Sequence, residues 1–203
     1  MSHQDLSYTQ ATQELKKGSI IAAPSDGRYL LLCDLQNEHA CQRINVIKGR
    51  PAGRPLTVLF PSLDAVHSAR VMTPLLKLAK LYWPAPLSLS VPAYPGLSAT
   101  VTGSKNMVNV QVPSHIDLHT LLMDYGRPIA CSSANRSGAS PIQTKSELNQ
   151  QFTSNEIKGV LQGQCSTTRS TLLGLVEGEL HCYKEGDLTL RLLQDQWSKL
   201  RWL

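Results

Sequence analysis

Three cations lie close together in the segment VIKGRPAGRPLTVLF (46–60), just before a hydrophobic run. Lys48, Arg50 and Arg54 fall within seven consecutive residues. Two unit charges about 4 Å apart repel by roughly 4 kcal/mol at an effective dielectric constant of 20. Either these side chains spread into water, or an anionic group binds between them. In an extended segment, Lys48 and Arg50 would point the same way and face one ligand together.

The loop SSANRSG (132–138) brings hydrogen-bonding groups directly after the apolar stretch PIAC. Ser132, Ser133 and Asn135 can each donate and accept, and Arg136 adds a cation. A polar loop at the end of a buried strand is a common ligand site in α/β sheets. The alternative is a hydrogen-bonded turn that binds nothing.

The segment PSDGRYLLLCD contains the turn signal Asp26-Gly27. Ser25, Asp26, Arg28 and Tyr29 surround this turn. They either line a pocket or only close a β-hairpin.

Other polar residues give weaker indications. Ser170 and Thr171 precede a predicted strand, where hydroxyl groups usually serve turns. His115 and His119 are four residues apart on a predicted helix, but no recognisable motif supplies further metal ligands, so we expect a structural role. The sequence contains no P-loop, dinucleotide-binding, zinc-protease or G-x-S-x-G motif.

The elements that must position these residues follow from apolar spacing and capping signals. Strands are predicted at 19–24, 29–34, 55–60, 86–92, 107–113 and 127–132, and strands with turns at 158–163, 170–178, 179–186 and 188–193. Helices are predicted to start at Asn37, Ser62, Thr73, Ser114 and Thr144, and an exposed loop is predicted at 96–106. Several connections are too short for a crossover, so we expect an α/β domain with a twisted, mixed sheet.

Composition favours a folded protein without a membrane span. The chain has 203 residues, of which 41% are hydrophobic, and a formal charge of +5, which is compatible with a nucleotide or RNA partner. The five cysteines form no CxxC motif, and Cys33 and Cys131 are predicted to be buried thiols. The first ten residues lack the apolar core of a signal peptide, and no stretch is long enough to cross a membrane. We therefore expect a soluble, cytoplasmic protein.

Taken in order, these segments resemble a known family. The relevant pieces are P-S-D, K-G-R-P, W-P-A-P, V-x-V-x-V-P-x-H, S-S-A-N-x-S-G and S-T. This series resembles the YrdC-like family of threonylcarbamoyl-AMP synthases (TsaC), over about residues 19–186. The combination of KGRP (48–51) with SSANRSG in this order is specific, whereas either motif alone would be weak.

The resemblance implies a fold and an activity. The fold would be a single YrdC-like domain over residues 1–203, with a twisted mixed sheet, flanking helices and a concave basic face. The C-terminal tail (187–203) lies beyond the resemblance, and we expect it to pack onto the domain through Trp197 and Trp202. The family joins L-threonine, bicarbonate and ATP into threonylcarbamoyl-AMP and releases pyrophosphate. Partner proteins then transfer the threonylcarbamoyl group to an adenosine of tRNA. Binding of double-stranded RNA is also attributed to the family.

The resemblance also implies roles for particular residues. Mg²⁺ would arrive with ATP, and no residue is expected to be a permanent metal ligand. Lys48 and Arg50 would be catalytic; Arg50, Arg54, Ser133, Ala134, Asn135 and Lys184 would bind ATP; Ser25, Tyr29, Ser132 and Ser170 would bind threonine. Lys184 replaces an arginine of the family, which keeps the charge but loses the planar guanidinium group.

Several positions depart from the family pattern. Gly27 replaces a threonine that typically contacts the amino acid, and Gln111 replaces the arginine of V-R-V-P, a plausible partner for the threonine carboxylate. Leu59 replaces a histidine of some members, and Ile142 a threonine. One hypothesis is that Arg28 compensates for Gln111. Two alternatives therefore remain: an enzyme that keeps ATP but uses another acceptor, and a non-catalytic RNA-binding module.

Overall fold

The computed structural model describes residues 2–51 and 53–200. The strands are β1 (Asp5–Leu6), β2 (Ile21–Ser25), β3 (Arg28–Asp34), β4 (Thr57–Leu59), β5 (Leu87–Pro92), β6 (Met107–Gln111), β7 (Ile129–Ser133), β8 (Val160–Leu161), β9 (Thr171–Val176) and β10 (Glu179–Lys184). The helices are α1 (Tyr8–Lys16), α2 (Glu38–Lys48), α3 (Leu63–Ser68), α4 (Leu76–Tyr82), α5 (Ala99–Thr102), α6 (Ile116–Tyr125), α7 (Lys145–Gln151) and α8 (Leu190–Leu200).

The ten strands form one mixed sheet in the order β1-β8-β2-β3-β7-β4-β6-β5-β9-β10. The pairs β1/β8, β2/β8, β4/β6 and β5/β9 are parallel, and the other neighbours are antiparallel. This arrangement confirms the predicted α/β fold with a mixed sheet.

Two hydrophobic cores lie on opposite faces of this sheet. In β3, Leu31 and Cys33 belong to the larger core, whereas Leu32 belongs to the smaller one. Neighbouring residues in a strand point to opposite faces, so this alternation separates the two cores. Side chains of α2, α4 and α8 contribute to the larger core, and those of α1 and α6 to the smaller one.

Helix starts that depend on a capping side chain agree with the sequence. The side chains of Asn37, Ser62 and Thr144 accept hydrogen bonds from the backbone of α2, α3 and α7, respectively. Such bonds satisfy backbone donors that have no partner within the helix. Gly49 ends α2 in the left-handed conformation, with φ 59°, which glycine adopts without steric strain.

Other boundaries were predicted wrongly. Helix α4 starts at Leu76 instead of directly after Thr73, because the Thr73 hydroxyl accepts a hydrogen bond from Leu75 N in a preceding turn. The N-cap of α6 is His115, not Ser114. The predicted exposed loop at 96–106 contains the short helix α5, in which Val101 is buried.

The segment 188–193 is also not a strand but leads into α8. The alternation in LTLRLL suggested a strand, whereas Leu193 and Trp197, four residues apart, are both buried on one side of a helix. Helix α8 contacts α4 and β10. Trp202, which was also expected to pack onto the domain, lies outside the described residues.

Helix α1 had no counterpart in the sequence prediction. Ser7 and Gln10 form a capping box at its start, and Leu15 is buried in the smaller core. Cys33 and Cys131 are buried free thiols, as predicted. No helix within the described part of the chain is long and apolar enough to cross a membrane.

Candidate active site

A polar cavity lies on the same face of the sheet as the smaller core, next to it. In β3, Leu32, Leu30 and Arg28 share this face, and Arg28 lines the cavity beyond the apolar part. In β7, Cys131 belongs to the smaller core and Ser133 lines the cavity. Helices α1 and α6 thus cover the apolar part of this face, and the polar part is open to a ligand.

The cavity has a volume of about 220 Å³ and brings together residues from distant parts of the chain. Of the residues predicted to form a site, it is lined by Ser25, Arg50, Ser132, Ser133, Ser170 and Lys184. Asp26, Arg28, Thr57, Ser88, Asn109 and Gln111 line it as well. The sequence analysis did not assign Thr57, Ser88 or Asn109 to a site, although their alternation with buried apolar neighbours in β4, β5 and β6 would have placed them on one polar face.

The charged lining of the cavity is mainly positive. Arg28, Arg50 and Lys184 contribute cations, and Asp26 contributes a carboxylate. Like charges within one partly enclosed volume repel each other, and an anionic ligand relieves this repulsion. The cavity is therefore suited to a polyanion.

Lys48 lies behind the cavity wall. Its side chain is at the end of α2 and the residue is only 5% exposed. The ammonium group donates hydrogen bonds to the backbone oxygens of Ser133 and, at 2.6 Å, Asn135. Burial, with the nearby charge of Arg50, lowers the pKa of Lys48 to about 8. Lys48 and Arg50 therefore do not extend side by side toward one ligand, because helix α2 includes Lys48.

Arg50 reaches the cavity from the loop after α2. Its Nη2 donates to Pro55 O at 3.0 Å, while its buried Nη1 has no hydrogen-bond partner among the described residues. Burial, followed by the charge of Arg54, lowers the pKa of the Arg50 guanidinium. An oriented cation with an unused donor is the kind of group that binds phosphate or carboxylate oxygens. Arg54 itself is exposed and does not line the cavity.

Backbone and side-chain hydrogen bonds hold the SSANRSG loop in place. Ala134 N donates to Tyr29 O at 2.8 Å, and Asn135 Nδ2 donates to Ala139 O at 2.8 Å. Ser132 and Ser133 thus line the cavity, whereas Ala134 and Asn135 contribute to the loop behind it. Tyr29 is 4% exposed and packs in the larger core. Since its neighbours in β3 face the cavity, Tyr29 points to the opposite face of the sheet.

The loop 165–170 closes the cavity against the β2–β3 hairpin. Ser166 N donates to Ser25 O, and Gly27 N donates to Ser166 O. Gly27 has a φ of 68°, and a Cβ atom at this position would lie 2.8 Å from Thr168 O. A larger residue would therefore collide with this loop, which explains why a threonine is not accommodated at position 27.

Burial shifts the pKa values of both Asp26 and Lys184. Asp26 is 3% exposed, and burial raises the pKa of its carboxyl group. Its Oδ1 accepts from the Ser166 hydroxyl at 3.3 Å, while its Oδ2 has no partner among the described residues. Burial and the charges of Arg28 and Arg169 lower the pKa of Lys184 to about 8. Both groups are thus poised to interact with a ligand of opposite charge.

His115, the N-cap of α6, and His119 within α6 both contact the backbone. The ring Nε2 of His115 is 2.9 Å from Gln164 O, and that of His119 is 2.9 Å from Pro61 O. These contacts agree with the structural role predicted for both residues. Within the described ranges, no cluster of three or more histidine, cysteine or acidic residues could hold a metal ion.

Comparison with known proteins adds information about ancestry. A family model, Sua5/YciO/YrdC, described as telomere recombination, matches residues 13–186. The chain is 32% identical over 159 residues to the threonylcarbamoyl-AMP synthase of Vibrio vulnificus, which covers 76% of this chain and 85% of that protein. It is 30% identical over 171 residues to the threonylcarbamoyl-AMP synthase of Thiobacillus denitrificans, and this match covers 82% of this chain and 89% of that protein.

Solved structures share the fold. The crystal structure of P. abyssi Sua5 complexed with L-threonine matches with a TM-score of 0.85 and 28% identity, over 93% of this chain. The matched part is 56% of that Sua5 chain, so this protein spans little more than half of it. E. coli YciO matches with a TM-score of 0.77 and 20% identity, over 92% of this chain and 97% of that one. The likeness to YciO shows the fold alone.

Proposed function

Because this chain belongs to the Sua5/YciO/YrdC family, we propose that it is an ATP-dependent threonylcarbamoyl-AMP synthase. One observation carries the proposal: a single cavity collects Arg50, Ser133 and Ser170 with further cations on the open face of the sheet. The names of the curated relatives and the L-threonine bound to P. abyssi Sua5 support the same activity.

The reaction has two bond-forming steps. The deprotonated amine of threonine forms a C–N bond with bicarbonate, and water leaves. An oxygen of the resulting carbamate then attacks the α-phosphorus of ATP, and the bond to pyrophosphate breaks. Negative charge develops on the phosphoryl oxygens and on pyrophosphate. Cations that are already in place stabilise this charge with little reorganisation.

The residues of the cavity fit different parts of this chemistry. Arg50 and Lys184 are proposed to bind the phosphates of ATP, because each brings a positive charge to the cavity. Ser133 would donate a hydrogen bond to the nucleotide. Ser25, Ser132 and Ser170 are hydroxyl groups that suit the polar atoms of the amino acid.

Residues outside the cavity wall are proposed to act indirectly. Lys48 positions the SSANRSG loop through the carbonyl groups of Ser133 and Asn135, so we assign it as a positioning residue rather than a ligand of ATP. Ala134 and Asn135 would shape this loop. Arg54, which is exposed, would attract ATP from solution. Tyr29 has no direct role in this proposal, because its side chain faces the larger core.

The proposal includes several further partners. Mg²⁺ would enter bound to ATP and neutralise part of the phosphate charge. The product would pass to proteins that modify tRNA, and tRNA or double-stranded RNA would bind the basic face. A cytoplasmic location fits an ATP-using enzyme with five free cysteines.

The test measures pyrophosphate release from MgATP and bicarbonate, with and without L-threonine. We expect release that depends on threonine, and its loss in Arg50→Ala. Arg191→Ala, which removes an exposed cation of α8, serves as the matched control and should behave as the unaltered protein. Release without threonine would indicate another acceptor. ATP binding without any release would contradict the proposal and favour a non-catalytic role.

A further inference from the structure

Gln111 lines the cavity, but both atoms of its amide group already form hydrogen bonds within the protein. Its Oε1 accepts a hydrogen bond from the Ser88 hydroxyl at 2.7 Å, and its Nε2 donates to Ala85 O at 3.1 Å. The residue is 6% exposed. A neutral side chain held in this way connects β5 to β6, and it cannot supply a positive charge to a ligand.

Arg28 is a different kind of cavity residue. It lines the same cavity, and its guanidinium has no hydrogen-bond or ion-pair partner within residues 2–51 and 53–200. Burial lowers its pKa, and the Lys184 ammonium is close enough to repel it. A partly desolvated cation beside another cation is costly unless an anion joins it. The cavity therefore favours the binding of an anion beside Arg28.

The backbone around Arg28 is firmly held. Arg28 pairs with Ser25 at the end of the β2–β3 hairpin. The turn between them is bonded to the loop 165–170 through Gly27 N and Ser166 O at 3.0 Å. Because both strands and the loop fix this turn, the base of the Arg28 side chain is preorganised toward the cavity.

An acidic group of the same hairpin complements Arg28. Asp26 lines the cavity, and its buried Oδ2 has no partner among the described residues. An α-amino acid carries a carboxylate and an amino group on neighbouring atoms. A hairpin that presents one unpaired guanidinium and one unpaired carboxylate oxygen matches both groups of such a ligand.

We propose that Arg28 binds the carboxylate of the amino-acid substrate and that this contact selects for it. The inference rests on the proposed function, since it assigns the substrate carboxylate of that reaction to a residue of this chain. The planar guanidinium offers two parallel N–H groups to the two carboxylate oxygens. Arg50 of the KGRP motif is then available to bind the phosphates of ATP.

The test compares Arg28→Ala and Arg28→Lys with the unaltered protein. We expect the KM for L-threonine to rise about tenfold to hundredfold in Arg28→Ala, with the KM for ATP unchanged. Arg28→Lys keeps the charge and should recover part of the loss. L-threoninamide lacks the carboxylate, so the preference for threonine over this amide should disappear in Arg28→Ala. Urea unfolding confirms that each variant is folded.

Arg191→Ala is the matched control. Arg191 is an exposed cation of α8 that does not line the cavity. Its removal takes away the same charge without changing the cavity or the loops around it, so the KM for threonine should stay the same. A higher KM for ATP in Arg28→Ala, or no change for either substrate, would overturn the proposal.

Calorimetric titration with threonine alone separates this proposal from the proposed function. If the unaltered protein binds threonine without turnover and Arg28→Ala binds it at least about tenfold more weakly, the carboxylate assignment stands and the synthase activity fails. If turnover requires threonine but Arg28→Ala binds it equally well, the synthase activity stands and the assignment fails. If threonine does not bind at all, the assignment is overturned.

Discussion

At the scale of single residues, Lys48 holds the loop that lines the cavity and does not line the cavity itself. Its ammonium joins the end of α2 to the backbone of the SSANRSG loop. This hydrogen bonding brings the KGRP and SSANRSG motifs into contact in the folded protein, although they are far apart in the sequence. In KGRP, Lys48 holds the SSANRSG loop in place and Arg50 lines the cavity. In SSANRSG, Ser132 and Ser133 line the cavity.

The buried ammonium of Lys48 predicts a pH-dependent contribution to stability. Its pKa is about 8 in the folded protein, compared with 10.5 when unperturbed. Between these values the unfolded state binds more protons, so the folded state gains stability as the pH rises. Relative to Lys48→Met, we expect the protein to gain on the order of 2 kcal/mol in unfolding free energy from pH 7 to 9.5. Urea unfolding at each pH measures this difference.

Lys80→Met is the control for this measurement, because Lys80 is an exposed lysine of α4. Its unfolding free energy should follow that of the unaltered protein at every pH. A constant difference between the unaltered protein and Lys48→Met would show that the ammonium of Lys48 is not perturbed.

Lys184 predicts a pH dependence of activity. Its ammonium loses its proton as the pH rises through about 8, whereas an arginine stays charged. The kcat/KM for ATP of Lys184→Arg, divided by that of the unaltered protein, should be constant below pH 7 and rise between about pH 7.5 and 9. Dividing by the unaltered protein removes the effect of Lys48, which is present in both. A ratio that is independent of pH would exclude Lys184 from phosphate binding.

At the scale of secondary-structure elements, the β2–β3 hairpin and the loop 165–170 define one side of the cavity. Their contact depends on Gly27, which combines a positive φ with a close approach to Thr168 O. The turn therefore places Asp26 and Arg28 on the lining. This arrangement explains in steric terms how the hairpin departs from the family pattern.

We expect Gly27→Ala to destabilise the protein more than Gly126→Ala. Both glycines have similar positive φ values, 68° and 73°, but no atom lies within 4 Å of a Cβ at position 126. Gly126→Ala should therefore cost about 1–2 kcal/mol from backbone strain alone, and Gly27→Ala at least about 1 kcal/mol more from the collision. Urea unfolding of both variants tests this order. Equal losses would mean that the loop simply moves away.

Helix ends were predictable where one side chain determines them. Asn37 and Thr144 cap α2 and α7 by local hydrogen bonds that can be recognised from neighbouring residues. Helix α8 was missed because its first residues alternate in polarity like a strand. The Thr189 hydroxyl accepts a hydrogen bond from Leu192 N, and this local signal, with Leu193 and Trp197 four residues apart, was the available indication of a helix.

The candidate site was predictable only in part. The cation cluster in 46–60 and the polar SSANRSG loop pointed to Arg50 and Ser133, and the family resemblance added Ser170. The sequence could not show that Lys48 is behind the wall or that Asn109 lines the cavity. Those facts depend on strand register and on how distant strands are arranged, which local patterns do not encode.

At the scale of the whole molecule, the sheet separates stability from function. One face is covered by the larger core, and the other is divided between the smaller core and the cavity. Strands β2 and β9 are far apart in the sheet order, yet the loop before β9 bonds to the end of β2 through Ser166 and Ser25. Arg28 of β3 and Lys184 of β10 are likewise close enough for their charges to interact. The sheet therefore curves around the cavity, and residues from most of its strands line it.

Identification of the product tests the central claim most directly. The protein is incubated with MgATP, L-threonine and ¹³C-labelled bicarbonate, and the nucleotides are analysed by mass spectrometry. We predict threonylcarbamoyl-AMP with a single ¹³C atom, formed only when all three substrates are present. AMP or ADP without this adduct, or no conversion of ATP by a folded protein that binds it, would contradict the assignment.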